Sequence, residues 1–384
     1  MAQVVRAHHV GAVRAFAERL LASVIDDAPV RAANGDFACS PIGLWLALSA
    51  VAAGARSQTA QELHELLGAA GAEAASAATE VAARLSETEG LAVATGVWSR
   101  IPVYRDFRDD LPDISFGHLD PANPSAINAW VRRATGGLFR ELPDCPDEDD
   151  LLLLVNALTV EGKWASGFKQ QNTADRTFTD ARGVEHLVPT MAKTLPGPQC
   201  AWTVEDPSGS AADEVDVVAL LCEAESGRLP LQVSLVLGAP DRGPAEVLPA
   251  AWAPHEHRRP VDADEVTIAL PRLHLRTRLE AERHLAPLGA PLSVSARADF
   301  SGMSPEPLRI AGVTQESVLR MDEEGVRAAA VTQVRKSTRS VSGRVPRTRH
   351  RAFDRPFGLV LFAGSSGLPL FAAWQASAPR SPHS

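Results

Sequence analysis

The chain has 384 residues, with 38 Lys and Arg against 47 Asp and Glu, and a formal net charge of -9 at pH 7. Apolar residues make up 45% and charged residues 22%, ordinary globular proportions that exclude a disordered chain, a collagen and a pure coiled coil. The acidic balance argues against a surface made throughout for nucleic acid, yet Gly325 to Phe353 holds no acid and carries Arg327, Arg335, Lys336, Arg339, Arg344, Arg347, Arg349 and Arg351.

Residues 1–31 intersperse Arg6, Arg14, Glu18 and Arg19 among apolar positions at helical spacing. That predicts an amphipathic helix burying Val10, Val13, Phe16, Ala17, Leu20, Leu21 and Val24. It is not a secretory signal, so a cytoplasmic location is expected. Pro41 to Gly54 is apolar nearly all round and predicts a buried helix, N-capped by Ser40 with Pro41 at its first position. Ser57 to Leu67 predicts a second helix, with Thr59 and Glu62 spaced as a capping box. Leu91 to Trp98 reads as a strand, and Ser125 to Phe139 as a helix stopped at Gly136-Gly137. Leu151 to Val160 is a continuous apolar run suited to a strand buried on both faces.

Val215 to Leu221 and Leu231 to Leu237 predict neighbouring core strands. Val266 to Leu275 alternates and reads as a strand bent at Pro271, with Ser317 to Met321 and Gly358 to Phe362 as further strands. Gly364-Ser-Ser-Gly367 reads as a hairpin turn. The irregular alternation of helices and strands predicts an α+β fold. No apolar run is long enough for a membrane span. Cys39, Cys145, Cys200 and Cys222 fit no metal or redox spacing and are expected as free thiols. His255-Glu-His257 lacks a third ligand, and Asp147 to Asp150 reads as a solvated acidic turn, so no metal and no cofactor are expected.

The informative segment starts at Met321. Glu323 and Glu324 precede Gly325, a residue without Cβ that can act as a hinge. From there Val326, Ala328, Ala330, Thr332 and Val334 form one small or apolar face of a period-2 strand. Lys, Arg, Ser, Gly and Pro beyond them indicate an exposed loop. A credible strand that runs on as an exposed loop suggests an element with two stable placements.

The motifs, in order, resemble the serpins over nearly the whole chain. They are Phe37-Ala-Cys-Ser-Pro-Ile42, Gly54 to Ala60, Ile127-Asn-Ala-Trp130 with Thr135-Gly-Gly137, and Val155-Asn156 through Gly162-Lys-Trp164. Phe168, Val188 to Met191, Leu270-Pro-Arg-Leu273 and Ala298 to Gly302 follow, then Glu323 to Ala330 and Arg355-Pro-Phe357. The resemblance implies a single domain, 1–384, with one large mixed sheet, two smaller sheets, surrounding helices and an exposed reactive-centre loop over 323–352. It implies no enzyme but a monomeric suicide inhibitor: a serine protease cleaves the loop, and the loop inserts into the large sheet and traps the acyl-enzyme.

The same resemblance makes Glu323, Glu324, Gly325, Val326, Ala328, Ala329 and Ala330 the hinge. Trp164, Arg272, Asn156, Ser40 and Gln315 fall at the breach and shutter of the sheet, with Arg272 expected to pair with Glu323. Counting from Glu323 puts the reactive bond at Arg339–Ser340, and counting back from Phe353 puts it at Arg344–Val345. Either Arg suits a trypsin-like protease. Gln315 stands where the family has His and Gly43 where it has Ser, and both are expected to weaken the shutter. Two alternatives remain open: a non-inhibitory member acting as a binding or scaffold protein, and a polyanion partner for the basic loop. The family is often secreted, which makes extracellular the alternative location.

Overall fold

A computed structural model describes residues 7–27, 30, 35–134, 137, 150–204, 214–327, 346–364 and 367–380. The N-terminal periodicity becomes α1 (Ala7–Val24), with Val13, Phe16, Leu20, Leu21 and Val24 buried. α2 (Pro41–Ala52) is buried along its whole length, and Ser40 caps it by accepting from Gly43 N at 3.2 Å. α3 (Ser57–Leu67), α4 (Gly71–Ser86), α5 (Arg105–Asp109) and α6 (Ser125–Ala134) follow. Among the described residues no helix is long and apolar enough to cross a membrane.

The expected capping box of α3 does not form. Its N-cap is Arg56, with no side-chain cap. Thr59 Oγ1 accepts from Asp299 N at 3.0 Å, and Glu62 Oε2 accepts from Leu292 N at 2.9 Å. Both oxygens are spent on tying a loop 230 and more residues away, and that tertiary use outweighs the local cap.

Three sheets carry the strands. The first runs in the order β1 (Phe37–Cys39), β17 (Pro369–Gln375), β16 (Phe357–Ala363), β9 (Leu231–Leu237), β8 (Val215–Leu221), β7 (Ala201–Val204) and β10 (Arg258–Pro260). The second is β15 (Thr348–Ala352), β11 (Glu265–Pro271), β6 (Glu185–Pro196) and β5 (Ala174–Thr179). The third is β12 (Leu273–Glu280), β13 (Gly312–Met321), β14 (Gly325–Arg327), β4 (Leu152–Lys163), β2 (Leu91–Ser99) and β3 (Ile114–His118). It mixes parallel and antiparallel neighbours.

One continuous apolar core joins α1, α2 and α4 to all three sheets. Burial at about 25 cal/mol per Å² makes this the main stabilising contribution. A smaller cluster of Trp98, Leu119, Ile127, Val131, Leu153 and Val155 packs α6 on the outer face of the third sheet. The strand expected over Val266 to Leu275 is two strands in two sheets. Pro271 pairs with Thr190 in the second sheet, while Leu273 pairs with Met321 in the third. Arg272 alone makes the crossing, and that transfer places its side chain at the end of the third sheet.

Candidate functional site

The third sheet is closed at its two ends by different partners. At one end β13 and β4 pair directly in parallel, Gly312 with Leu153 through Thr314 with Val155. At the other end β14 lies between them. Val326 faces Met321 of β13 and Gly162 of β4, and Arg327 faces Arg320 and Glu161. Among the described residues no ladder joins 315–319 to 156–160, so the two strands diverge from Thr314 and Val155 towards the hinge. That divergence leaves backbone donors and acceptors facing the position of one further strand.

Val326 is 1% exposed, so the first small side chain of the hinge is already in the core. Gly325 is the residue this seating needs. A Cβ there would stand 2.0 Å from the carbonyl oxygen of Gly162, which no side chain can meet without moving backbone. Asp322 shapes the turn into β14: its carboxylate accepts from Glu324 N at 2.9 Å and Gly325 N at 3.3 Å.

Glu323 is the anchor of this end. Arg272 Nε donates to both carboxylate oxygens at 3.1 Å, and Nη2 donates to Oε1 at 2.7 Å. Thr173 Oγ1 donates to Oε1 at 2.6 Å. Glu323 is 6% exposed. Burial by itself would push its carboxyl up, but the hydrogen bonds from Arg272 and Thr173 outweigh it and hold the group below the ordinary carboxyl range. The backbone is fastened too: Phe168 N donates to Glu323 O at 3.1 Å and Trp164 N to Glu324 O at 3.0 Å. Trp164, buried and edge-on to Phe168, donates Nε1 to Asp322 O at 2.9 Å. The sequence held no signal for Thr173, which lies 150 residues from Glu323.

Under the diverging strands lies a buried polar cluster. Gln315 Oε1 accepts from Ser40 N at 2.7 Å and its Nε2 donates to Ser40 O at 2.9 Å. Ser40 Oγ donates to Leu370 O at 2.6 Å. Gln315 thus clamps the start of α2 to β13. The amide group is long enough to satisfy both backbone groups of one residue. Asn156 on β4 donates Nδ2 to Thr95 Oγ1 at 3.0 Å, while its Oδ1 has no hydrogen-bond partner. A Cβ on Gly43 would lie 2.1 Å from that oxygen. Gly43 therefore makes room for Asn156 and supplies it no side-chain donor.

Beyond the hinge, Ala328, Ala329, Ala330, Arg339, Ser340, Arg344 and Val345 lie outside the described residues. The chain is fastened again at Arg347. Its N donates to Asp264 Oδ2 at 2.8 Å, its carbonyl accepts from Asp264 N and Glu265 N, and its guanidinium meets Asp262 at 3.0 Å. Arg351 Nε lies 2.7 Å from Asp216. Two members of the basic stretch are therefore neutralised by acids of the body. Cys39 and Cys222 are buried free thiols, both pushed up to about 12 by burial, and Cys200 is half-buried and free. His255 to His257 form a single turn with no buried member.

Residues 11–376 match the profile of one family, described as serpin (serine protease inhibitor). Alpha-2-antiplasmin of Bos taurus is 29% identical over 355 residues, 86% of this chain, which spans 65% of that protein. Serpin-Z7 of Hordeum vulgare is 29% identical over 385 residues, covering 91% of this chain and 94% of that one. Among solved structures, the thermophilic serpin tengpin in its native state is similar with a TM-score of 0.79 at 19% identity, covering 98% of this chain and 96% of the other. Human thyroxine-binding globulin, solved with its ligand, has a TM-score of 0.78 at 19% identity, covering 97% and 99%.

Proposed function

The chain belongs to the serpin family, and we propose that it inhibits a serine protease that cleaves after arginine, as a suicide substrate. The observation that carries this reading is the seating of β14. The hinge already occupies the first step of a strand position between β4 and β13, with Val326 buried and, among the described residues, no ladder continuing beyond β14. Cleavage of the loop would free Ala328 to Val334 to continue that strand. Each added backbone hydrogen bond contributes about 0.5–1.5 kcal/mol net, so insertion runs downhill once the loop is cut. A protease still esterified to the loop would be carried along the sheet before hydrolysis.

The reactive bond in this reading is Arg339–Ser340. A protease cleft takes several extended residues on each side of the bond. Seven residues separate Arg339 from the fastened Arg347, and only two separate Arg344 from it. The rival bond Arg344–Val345 is therefore short of free chain on its C-terminal side. The engagement of Arg347 and Arg351 with Asp262, Asp264 and Asp216 also weakens the polyanion reading.

Incubation with trypsin tests the proposal. The expected products are a covalent complex stable in SDS and a released peptide beginning at Ser340. Clean cleavage without a complex would favour a non-inhibitory member, and a peptide beginning at Val345 would move the bond.

A further inference from the structure

A cleft of about 630 Å³ opens where the end of β6 passes β7, β8 and β10, with Ala165 and Ser166 at one side. That is the size of a site for one small organic molecule. Its lining contains Lys193, Arg258 and His255 and, among the described residues, no Asp or Glu. In a chain of net charge -9 this local excess is notable.

The Lys193 and Arg258 cations are costly as they stand. Lys193 lies 5.3 Å from the Phe168 ring and donates to Ser166 O, and burial lowers its amine to about 8. The Arg258 guanidinium sits 4.8 Å over the Trp202 ring, and its Nε donates to Ala253 O at 2.8 Å. Burial and the nearby Arg14 disfavour its charge. Neither has a carboxylate partner among the described residues. Desolvated cations are unfavourable until an anion meets them.

We propose that this cleft binds a small aromatic anion, a carboxylate, sulfonate or phosphate on a ring system, with its charge towards Lys193 and Arg258 and its ring against Trp202. The lining supplies opposite charge and an aromatic wall. Cys200, half-buried and also in the lining, is a built-in reporter, because peptide mass separates its alkylation from that of the other three cysteines. Protease inhibition plays no part in this inference or in its test.

The test uses the intact chain and 8-anilinonaphthalene-1-sulfonate as probe. N-phenyl-1-naphthylamine, the same ring system without the sulfonate, is the comparator. The expected result is saturable binding of one sulfonate probe per chain, with alkylation of Cys200 by iodoacetamide slowed at least tenfold, as read by peptide mass. Lys193→Met and Arg258→Leu should each weaken binding about tenfold or more, and Lys193→Arg should retain it. The uncharged comparator should bind the parent and the variants alike and more weakly than the sulfonate does. Unchanged Cys200 alkylation at saturating probe would overturn the proposal. So would equal affinity for the two probes, or variants of unaltered melting temperature that bind as the parent does. If either variant fails to fold, protection of Cys200 in the parent chain and the Lys193→Arg result decide the matter.

Discussion

The Glu323 carboxylate is engaged on both oxygens, with Arg272 and Thr173 on one and Arg272 also on the other. Arg272→Ala would leave it buried and short of its main partner, at about 3–5 kcal/mol. The native seating would lose more than the inserted one, so the uncut chain should convert to a loop-inserted or polymeric form faster. Native gels over time check this, and rates equal to the parent's would contradict it. The pH dependence has a definite sign. The folded carboxyl titrates below its ordinary value of 4.5. Its contribution is therefore complete above 4.5 and is lost as pH falls through the lower folded value. Trp164 fluorescence should report loosening only in that acid window. At the shutter, Gln315→Ala would strand Ser40 N, at about 1–3 kcal/mol for a buried donor left unpaired, while Ser40 O would keep Leu44 N. Equilibrium denaturation of the variant should show the loss.

At the scale of elements, β14 is three residues long and has partners on both edges. Val326→Arg would bury a charge at its centre, and desolvation would oppose both seating and further insertion. Such a variant should be cleaved by trypsin at the same bond with no SDS-stable complex. Gly325→Ala would collide with the Gly162 carbonyl, and it should unseat the hinge without altering the cleavage site. Much of this was legible in the sequence. The period-2 face beginning at Val326 and the glycine before it are local patterns, and local patterns fix side-chain faces. The division between β11 and β12 was not legible. Side-chain alternation continues through Arg272 while the backbone changes sheets, and alternation carries no information about which strand is the neighbour. Thr173, Thr95 and the unused oxygen of Asn156 were hidden for the same reason, being defined by contacts across long sequence separations.

For the whole molecule, the basic stretch that set the composition apart is now divided. Arg347 and Arg351 tie the returning chain to Asp262, Asp264 and Asp216. Under the proposed function, the chain before cleavage is held by the barrier to insertion and not by having reached its lowest free energy. The thermal stability of the chain before and after a single cut by trypsin in the loop tests this most directly. A completed ladder of about ten backbone hydrogen bonds is worth on the order of 10 kcal/mol. The account predicts that the cut chain melts more than about 10 °C above the intact one. A cut chain that melts at or below the intact temperature would contradict it.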